Sequence, residues 1–240
     1  MGLYSIPNLT GDIRRIAVLN WKGGCGKSML STNLASYFAA NGSKTALIDH
    51  DPQGSALRWL SLRGDERPLI HGINATARSG QLTRSFNMRL PPTTQHVIID
   101  TPAGMRGVDL QELVRETDYI VIPVLPSDAD IHSAAGFIAE LLLDARVKSS
   151  GARVGVIANR VKRNTLIFQS LNRFLQQLQF PLIAILRDTQ QYIRAAEQGL
   201  GIHELHPPSR ARQEREQWRP IIEWLDNGAT QQPAFDLNRA

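Results

Sequence analysis

VLNWKGGCGKSMLSTNL, residues 18–34, is the segment from which the architecture of the chain can be inferred. It joins a buried-strand pattern, RRIAVLN (14–20), to a helix pattern, SMLSTNLASYFAANG (28–42), through a glycine-rich loop. Glycines let several backbone N–H groups converge on an anion, and the following helix N-terminus adds a partial positive charge. In such loops a lysine at the position of Lys27 contacts nucleotide phosphates, and a hydroxyl at that of Ser28 ligates Mg²⁺. The segment therefore predicts a phosphate-binding loop.

The rest of the chain alternates between short apolar strands and longer helix patterns. Near-continuous apolar strands joined by helices indicate an α/β fold, with a doubly wound, mostly parallel sheet covered on both faces. Sheets of this kind bind ligands at the carboxyl ends of their strands. Strands are expected at KTALIDHD (44–51), HVIIDTP (96–102), DYIVIPV (118–124) and ARVGVIAN (152–159), and helices at GVDLQELVRE (107–116), IHSAAGFIAELLLDAR (131–146) and LIFQSLNRFLQQL (166–178).

A chain of 240 residues is compatible with one α/β domain, which we place at residues 1–226. Residues 61–95 hold few apolar runs and read as a variable insertion with one helix or short strand. Trp218 and Trp224 lie in a helical stretch and are expected to pack against the core. The segment NGATQQPAFDLNRA, residues 227–240, is expected to be a disordered tail.

The composition, with 42% hydrophobic and 20% charged residues, is that of a globular protein. No apolar run is long enough for a membrane span, and the N-terminus lacks the pattern of a signal peptide. Cys25 is the single cysteine, which excludes an intrachain disulfide and a multi-cysteine metal site within one chain. A cytoplasmic location is expected.

Positive charge is concentrated in the C-terminal part of the chain. Residues 1–145 carry 13 Lys and Arg against 14 Asp and Glu, whereas residues 146–240 carry 14 against 8, a balance of +6. Such a segment suits a phosphate-rich polymer or an acidic partner. A solvated cationic face is the alternative explanation.

The glycine-rich loop departs from the usual phosphate-binding pattern at its start. Trp21 stands where that pattern has glycine, and Lys22 follows, which gives K-G-G-x-G-K-S. In this respect the chain resembles the deviant-Walker ATPases, a family that includes ParA partition proteins, MinD and the nitrogenase iron protein. The resemblance covers roughly residues 13–225 and implies the P-loop NTPase architecture. Further segments that resemble the family are LIDHDPQGSA (47–56), VIIDTPAG (97–104), VIANRV (156–161) and LRDTQQYIRAAEQGLGIHE (186–204).

The resemblance implies roles for particular residues. Lys22 would reach across a homodimer interface to the phosphates of ATP bound by the partner, so that two ATP molecules lie between two chains. Asp51 would orient the attacking water, while Asp49 would support the metal shell. Asp100 ends an apolar strand and would hold Mg²⁺ through a water, which offsets the desolvation of its carboxylate. Either Asp49 or Asp100 could instead cap the following turn. Asn159 matches the position that reads adenine, although an ordinary strand-ending Asn is the alternative.

Several neighbouring residues complete the expected ATP site. Lys22, Lys27 and Asp51 are the candidate catalytic residues, and Ser28, Asp100 and Asp49 are the candidates for Mg²⁺. Cys25 occupies the variable position of the loop, and we expect it to contribute its backbone N–H and not redox chemistry. The residues expected to bind ATP are Gly23, Gly24, Cys25, Gly26, Lys27, Ser28, Met29 and Asn159.

Within the family, the small ParA type fits the sequence best. The iron protein needs more cysteines, and MinD-type proteins end in a basic amphipathic membrane helix that the tail here lacks. ParA-type proteins bind DNA without sequence preference as the ATP dimer, and contact with backbone phosphates needs only basic residues. No helix-turn-helix domain is expected before the first strand. The leading candidates for DNA contact are Arg187 and Arg194, followed by Arg163 and Arg219, with Arg160, Lys162, Arg210, Arg212 and Arg215 also considered.

The resemblance thus implies a cytoplasmic, nucleoid-associated ATPase that an adaptor protein stimulates and links to a cargo, without membrane binding. The cargo could be a plasmid, a chromosome, a chemoreceptor cluster or a protein organelle such as the carboxysome. The alternative from another class is a P-loop kinase or ligase of the dethiobiotin-synthetase-like fold, acting with ATP on a small molecule.

Overall fold

Seven strands form one sheet in the computed structural model, which describes residues 13–76, 89–143, 147–162, 165–178 and 180–227. Every neighbouring pair is parallel, and the order across the sheet is β3-β2-β4-β1-β5-β6-β7. The predicted doubly wound α/β fold is therefore confirmed. The strands are β1 Arg14–Val18, β2 Thr45–Asp49, β3 Ile70–Asn74, β4 His96–Asp100, β5 Tyr119–Val124, β6 Arg153–Val161 and β7 Leu182–Arg187.

Helices connect the strands and cover both faces of the sheet. Two short 3₁₀ segments, Ile202–Glu204 and Pro208–Ala211, precede the last helix. The α-helices in the described ranges are α1 Lys27–Ala40, α2 Ser55–Ser61, α3 Gly107–Arg115, α4 Asp128–Leu143, α5 Val147–Ser150, α6 Leu166–Gln176, α7 Gln191–Ala196 and α8 Arg212–Asn227.

The sequence patterns located most elements but missed α2, α5, α7 and β7. Helix α2 has seven residues, which is too short to display a helical period over several turns. Strand β7 has six residues and forms one edge of the sheet. The short strand expected within residues 61–95 is β3, at the opposite edge. Of the expected tail, residues 228–240 lie outside the described residues.

Successive residues of β1 point to opposite faces of the sheet, and each face has its own core. Ala17 and Leu19 pack with helices α3, α4 and α6, whereas Ile16 and Val18 pack with α1, α2 and α8. Because both faces are covered, the strands are apolar at nearly every position. Trp218 is fully buried in the second core and Trp224 nearly so, which confirms the expectation for both.

Buried polar side chains gather at one edge of this apolar sheet. Asn20, Asp49, Asp100 and Asn159 lie at or just past the carboxyl ends of β1, β2, β4 and β6, and all four are buried. Asp49 and Asp100 are register partners on adjacent strands. The strand order reverses about β1, and in open α/β sheets such a point is where ligands bind.

Candidate nucleotide-binding site

The phosphate-binding loop begins directly after β1 and ends at helix α1. Gly24 and Gly26 have φ angles of 75° and 100°, in the left-handed region that favours glycine. Gly26 is the N-cap of α1, and no side chain caps this helix and no acidic residue lies in its first turn. The N–H groups of the first turn therefore keep their capacity to bind an anion, as a phosphate loop requires.

Lys27 lies at the first position of α1 and is only 6% exposed. Its ammonium donates a hydrogen bond of 2.9 Å to the carbonyl oxygen of Lys22. An ammonium has three donors, so this bond leaves others for phosphate oxygens. Lys27 is thus placed inside the loop, where the sequence predicted a phosphate ligand.

Asp100, at the end of β4, is fully buried. Its Oδ1 accepts a hydrogen bond of 3.1 Å from the Ser31 hydroxyl, while Oδ2 is buried without a hydrogen-bond partner in the described part of the chain. Burial raises the pKa of this carboxyl to about 6, although the nearby Ser28 hydroxyl opposes the rise. A buried carboxylate oxygen without a partner beside the Ser28 hydroxyl fits Mg²⁺ bound through water.

Asp49 has a different environment from the one that the resemblance implied. Its Oδ1 accepts the N–H of Asp51 at 3.0 Å, and its Oδ2 accepts the N–H groups of Ala56 and Leu57, each at 3.1 Å. The side chain is fully buried. We therefore assign Asp49 to holding the loop after β2 and the start of α2, which was the alternative to a metal role.

Asp51 lies two residues past the end of β2 and is partly exposed. Its Oδ1 accepts the N–H of Gln53 at 2.9 Å, and its carbonyl accepts the N–H of Gly54 at 2.8 Å. These bonds fix the turn after β2. The role of Asp51 toward an attacking water stays a prediction.

A hydrogen bond between Asn159 and Cys25 supports the phosphate-binding loop. The Asn159 Nδ2 donates to the Cys25 carbonyl at 2.8 Å, and its Oδ1 accepts the N–H of Arg160 at 3.0 Å. Asn159 is fully buried, so the side chain predicted to read adenine positions the phosphate loop in this structure. Burial also raises the pKa of the Cys25 thiol, although the Lys27 charge opposes this rise. A buried thiol with a raised pKa suits the predicted non-redox role.

The ammonium groups of Lys22 and Lys27 have different partners, although both residues belong to one loop. Its ammonium lies 2.6 Å from Oδ2 of Asp130 on helix α4. Its N–H donates to Oδ1 of Asn20 at 3.0 Å, and the Asn20 Nδ2 donates to the Pro123 carbonyl at 2.7 Å. Sequence reasoning missed Asn20 and Asp130. The position of Asn20, directly before the loop, was the one available signal, because Asp130 is 108 residues away from Lys22.

The remaining expected ATP contacts lie in the loop and the first turn of α1. Gly23 approaches Ala103, since a Cβ built on it would lie 3.9 Å from the Ala103 Cβ. The carbonyl of Met29 accepts hydrogen bonds from Thr32 and from Asn33, at 3.1 and 2.8 Å. Asn33 in turn accepts the N–H of Ile202 at 2.7 Å, which ties α1 to the segment after α7.

The arginines predicted to bind DNA have unequal surroundings. Arg187 is paired with the buried carboxylate of Glu214, and Arg219 is paired with Glu223 at 2.7 Å. Arg194 is exposed, and its guanidinium has no partner in the described ranges. Arg163 lies outside the described residues. We therefore assign Arg187 a structural role and retain Arg194 as the leading candidate.

The described ranges contain neither a cluster of metal ligands nor a membrane-spanning helix. No group of three or more His, Cys, Asp or Glu side chains there could hold a metal ion. Among the helices in the same ranges, none is both long and apolar enough to cross a bilayer.

Similarity to known proteins shows the family of the chain. Residues 16–202 match the family model of the CobQ/CobB/MinD/ParA nucleotide binding domain. Two relatives are proteins called maintenance of carboxysome distribution protein A. The one from Gloeobacter kilaueensis is 31% identical over 222 residues, covering 89% of this chain and 94% of the relative. The one from Halothiobacillus neapolitanus is 26% identical over 196 residues, covering 79% and 87%.

A solved structure shows the same fold at low sequence identity. The plasmid partition protein of Borrelia burgdorferi bound to AMPPNP superposes with a TM-score of 0.66 at 16% identity, covering 88% of this chain and 99% of that one. The loop geometry, the sheet order and the matched family model lead to one conclusion. The chain belongs to the CobQ/CobB/MinD/ParA family of nucleotide-binding domains and is a P-loop ATPase of the ParA/MinD type.

Proposed function

We propose that the chain is a ParA-type ATPase that dimerises around two ATP molecules and binds DNA without sequence preference as that dimer. An adaptor protein then stimulates hydrolysis and links the dimer to a cargo. The observation that carries this proposal is that the two lysines of one loop have different partners. Lys27 points into the loop, whereas the Lys22 ammonium lies on helix α4 and is partly exposed.

This difference supports a division of labour between the two lysines. Lys27 neutralises the phosphates of the nucleotide bound by its own subunit. Lys22 is bound to Asp130 and partly exposed, and on this proposal its charge acts on the phosphates of a second subunit, where it stabilises the charge of the transition state. Asp51 orients the attacking water from the loop after β2. Mg²⁺, when held by Ser28 and by Asp100 through water, neutralises phosphate charge.

Exposed cations near the carboxyl ends of β6 and β7 support the DNA-binding part of the proposal. Arg160 lies in β6, one residue before its end, and Arg194 lies in α7, shortly after β7. Both are exposed, and their guanidinium groups have no carboxylate partner in the described part of the chain. Lys162 adds a third cation, although it lies 3.4 Å from Asp188. Exposed cations on one edge suit contact with phosphate backbones.

For the cargo, the names of the relatives favour one of the options. Both relatives described above are named for carboxysome distribution, and together they match most of this chain. We therefore propose that the cargo is a carboxysome or a comparable protein organelle, and that the protein acts on the nucleoid in the cytoplasm.

A gel-shift experiment tests the proposal directly. Binding to unrelated DNA duplexes is measured with ATP, with ADP and without nucleotide, each at two salt concentrations. We expect ATP-dependent binding that weakens at the higher salt concentration. Binding that is equally strong without ATP, or that does not weaken at the higher salt concentration, would contradict the DNA-positioning function.

A further inference from the structure

The ion pair between Lys22 and Asp130 joins the nucleotide loop to helix α4. The Lys22 ammonium lies 2.6 Å from Oδ2 of Asp130. The Asp130 side chain is 6% exposed and that of Lys22 is 36% exposed. The first lysine of the loop is thus held within its own subunit, by a helix that carries none of the residues assigned to phosphate binding.

Asp130 is a buried carboxylate that relies on few partners. The Ser127 hydroxyl donates to the same Oδ2, and the Asp130 N–H donates to the Ser127 oxygen at 3.1 Å. The other oxygen, Oδ1, is buried without a hydrogen-bond partner among the described residues. A buried carboxylate is stable only when it is paired or hydrogen-bonded. Lys22 and Ser127 therefore together stabilise the negative charge of Asp130.

Trp21 keeps Lys22 close to helix α4. Its ring packs against Phe137 on α4, with the ring centroids 5.8 Å apart, and against Gly136, where a Cβ would lie 2.9 Å from the ring. The Arg106 guanidinium covers the ring at 3.9 Å. The backbone before Lys22 is therefore anchored to the helix that carries Asp130, and Lys22 can leave Asp130 through its flexible side chain alone.

We propose that Asp130 is a cis latch for Lys22, a positioning residue that holds the ammonium on its own subunit until the dimer forms. The proposal rests on the proposed function, in which Lys22 contacts the partner's nucleotide. A lysine that reaches across the interface gives up its contact with Asp130. The strength of this contact then sets the nucleotide concentration at which dimers form.

The substitution Asp130→Asn tests the latch. Asparagine keeps the size of the side chain and can still accept the Ser127 hydroxyl, but it removes the charge that holds Lys22. Dimer formation is measured by sedimentation velocity over a range of AMPPNP concentrations. We expect the midpoint to fall about fivefold, as suits the loss of a partly exposed ion pair. Asp128→Asn, an exposed change in the same helical turn, is the matched control and should leave the midpoint unchanged.

A second variant shifts the midpoint in the opposite direction. Ser127→Ala removes the hydroxyl that donates a hydrogen bond to Oδ2 of Asp130, the oxygen that Lys22 also contacts. Lys22 is then the remaining partner of this carboxylate and should be held more tightly. The midpoint of dimer formation should therefore rise. A general folding defect would weaken dimerisation in both variants, so opposite shifts identify the latch.

The outcomes separate the latch from the proposed function. If the wild type forms no dimer with AMPPNP, both ideas fail. If the wild type dimerises and Lys22→Gln prevents it, but Asp130→Asn leaves the midpoint unchanged or raises it, the latch alone is refuted. A lowered midpoint for Ser127→Ala would refute it equally.

Discussion

Arg187 and Glu214 form an ion pair between the end of strand β7 and helix α8, and the carboxylate of Glu214 is fully buried. The Arg187 Nε donates to Oε1 of Glu214 at 2.8 Å, and its Nη1 donates to the Gln213 side chain. The Arg187 backbone N–H donates to the Gln217 side chain at 3.1 Å. Helix α8 is thus fixed to the sheet edge through three of its side chains.

Arg187→Ala should therefore lower stability. The substitution leaves a buried carboxylate without its cation, and we expect the free energy of unfolding to fall by about 3 kcal/mol. Urea unfolding followed by circular dichroism measures this change. Arg194→Ala, at an exposed arginine, is the matched control and should stay within about 0.5 kcal/mol of the wild type. Equal stability of the two variants would contradict the assignment.

Arg194→Ala should weaken DNA binding instead. Each lost phosphate contact lowers the dependence of log K on log salt by about one, so both the affinity and the salt slope should decrease with ATP present. Fluorescence anisotropy with a labelled duplex at several salt concentrations measures both quantities. Arg58→Ala removes an exposed arginine from helix α2, outside the basic C-terminal part, and should change neither.

Substitution of the two loop lysines should separate nucleotide binding from dimerisation. Lys27→Ala removes the buried ammonium inside the loop and should abolish nucleotide binding. Lys22→Ala should leave binding of a fluorescent ATP analogue largely intact, but abolish the dimer and ATP turnover. Lys44→Ala, at an exposed lysine before β2, serves as control and should match the wild type. Full turnover by Lys22→Ala would exclude a role across subunits.

The two aspartates that flank the end of β2 should differ when they are replaced. Asp51→Ala should keep the fold and trap an ATP-bound dimer, because the water-orienting group is lost. Asp49→Ala frees three backbone N–H groups from their acceptor and should reduce the free energy of unfolding by about 2 kcal/mol or more. Light scattering under saturating ATP and thermal unfolding provide the two measurements. A monomeric Asp51→Ala variant would refute the role of that residue.

The contribution of His203 to stability should decrease when the pH falls below 6.5, because this side chain is buried in its neutral form. Burial, aided by Arg215, lowers the pKa of His203 to about 4, against 6.5 for the free side chain. Between these values the unfolded chain binds a proton that the folded chain does not. Each pH unit in this window therefore removes up to about 1.4 kcal/mol, and the contribution is complete above pH 6.5.

His203→Phe should reduce this dependence. We expect the difference in the free energy of unfolding between pH 7.5 and pH 5 to be smaller in the variant, as measured by urea titration. Part of the dependence remains, because burial also lowers the pKa of His96 to about 4. Glu116 acts in the opposite sense, since burial raises its pKa to about 7 and its contribution is lost as the pH rises through that value. His132→Asn, at an exposed histidine, should leave the dependence unchanged.

Sequence patterns predict those features of the fold and the site that are formed by residues close together in the chain. The glycines, Lys27 and Ser28 lie within six positions, and the chemistry of a phosphate loop requires that spacing. The positions of Asp49 and Asp100 follow from the apolar strands that they end. Helix α2 was missed because a helix of seven residues shows too little periodicity.

The contacts that the sequence does not reveal join distant parts of the chain. Lys22 and Asp130 are 108 residues apart, and Asn159 and Cys25 are 134 apart. The charge of an arginine alone does not distinguish Arg187, which pairs with a buried carboxylate, from Arg194, which faces solvent. That difference depends on where helix α8 packs, which no local pattern specifies.

The approach of Asn159 to Gly26 has a consequence for the way this family can diverge. A Cβ on Gly26 would lie 2.2 Å from Nδ2 of Asn159, the atom that binds the Cys25 carbonyl. Any side chain at position 26 would therefore displace Asn159 from the Cys25 carbonyl, and the φ angle of 100° at this position independently favours glycine. A library that randomises position 26 alone should recover glycine.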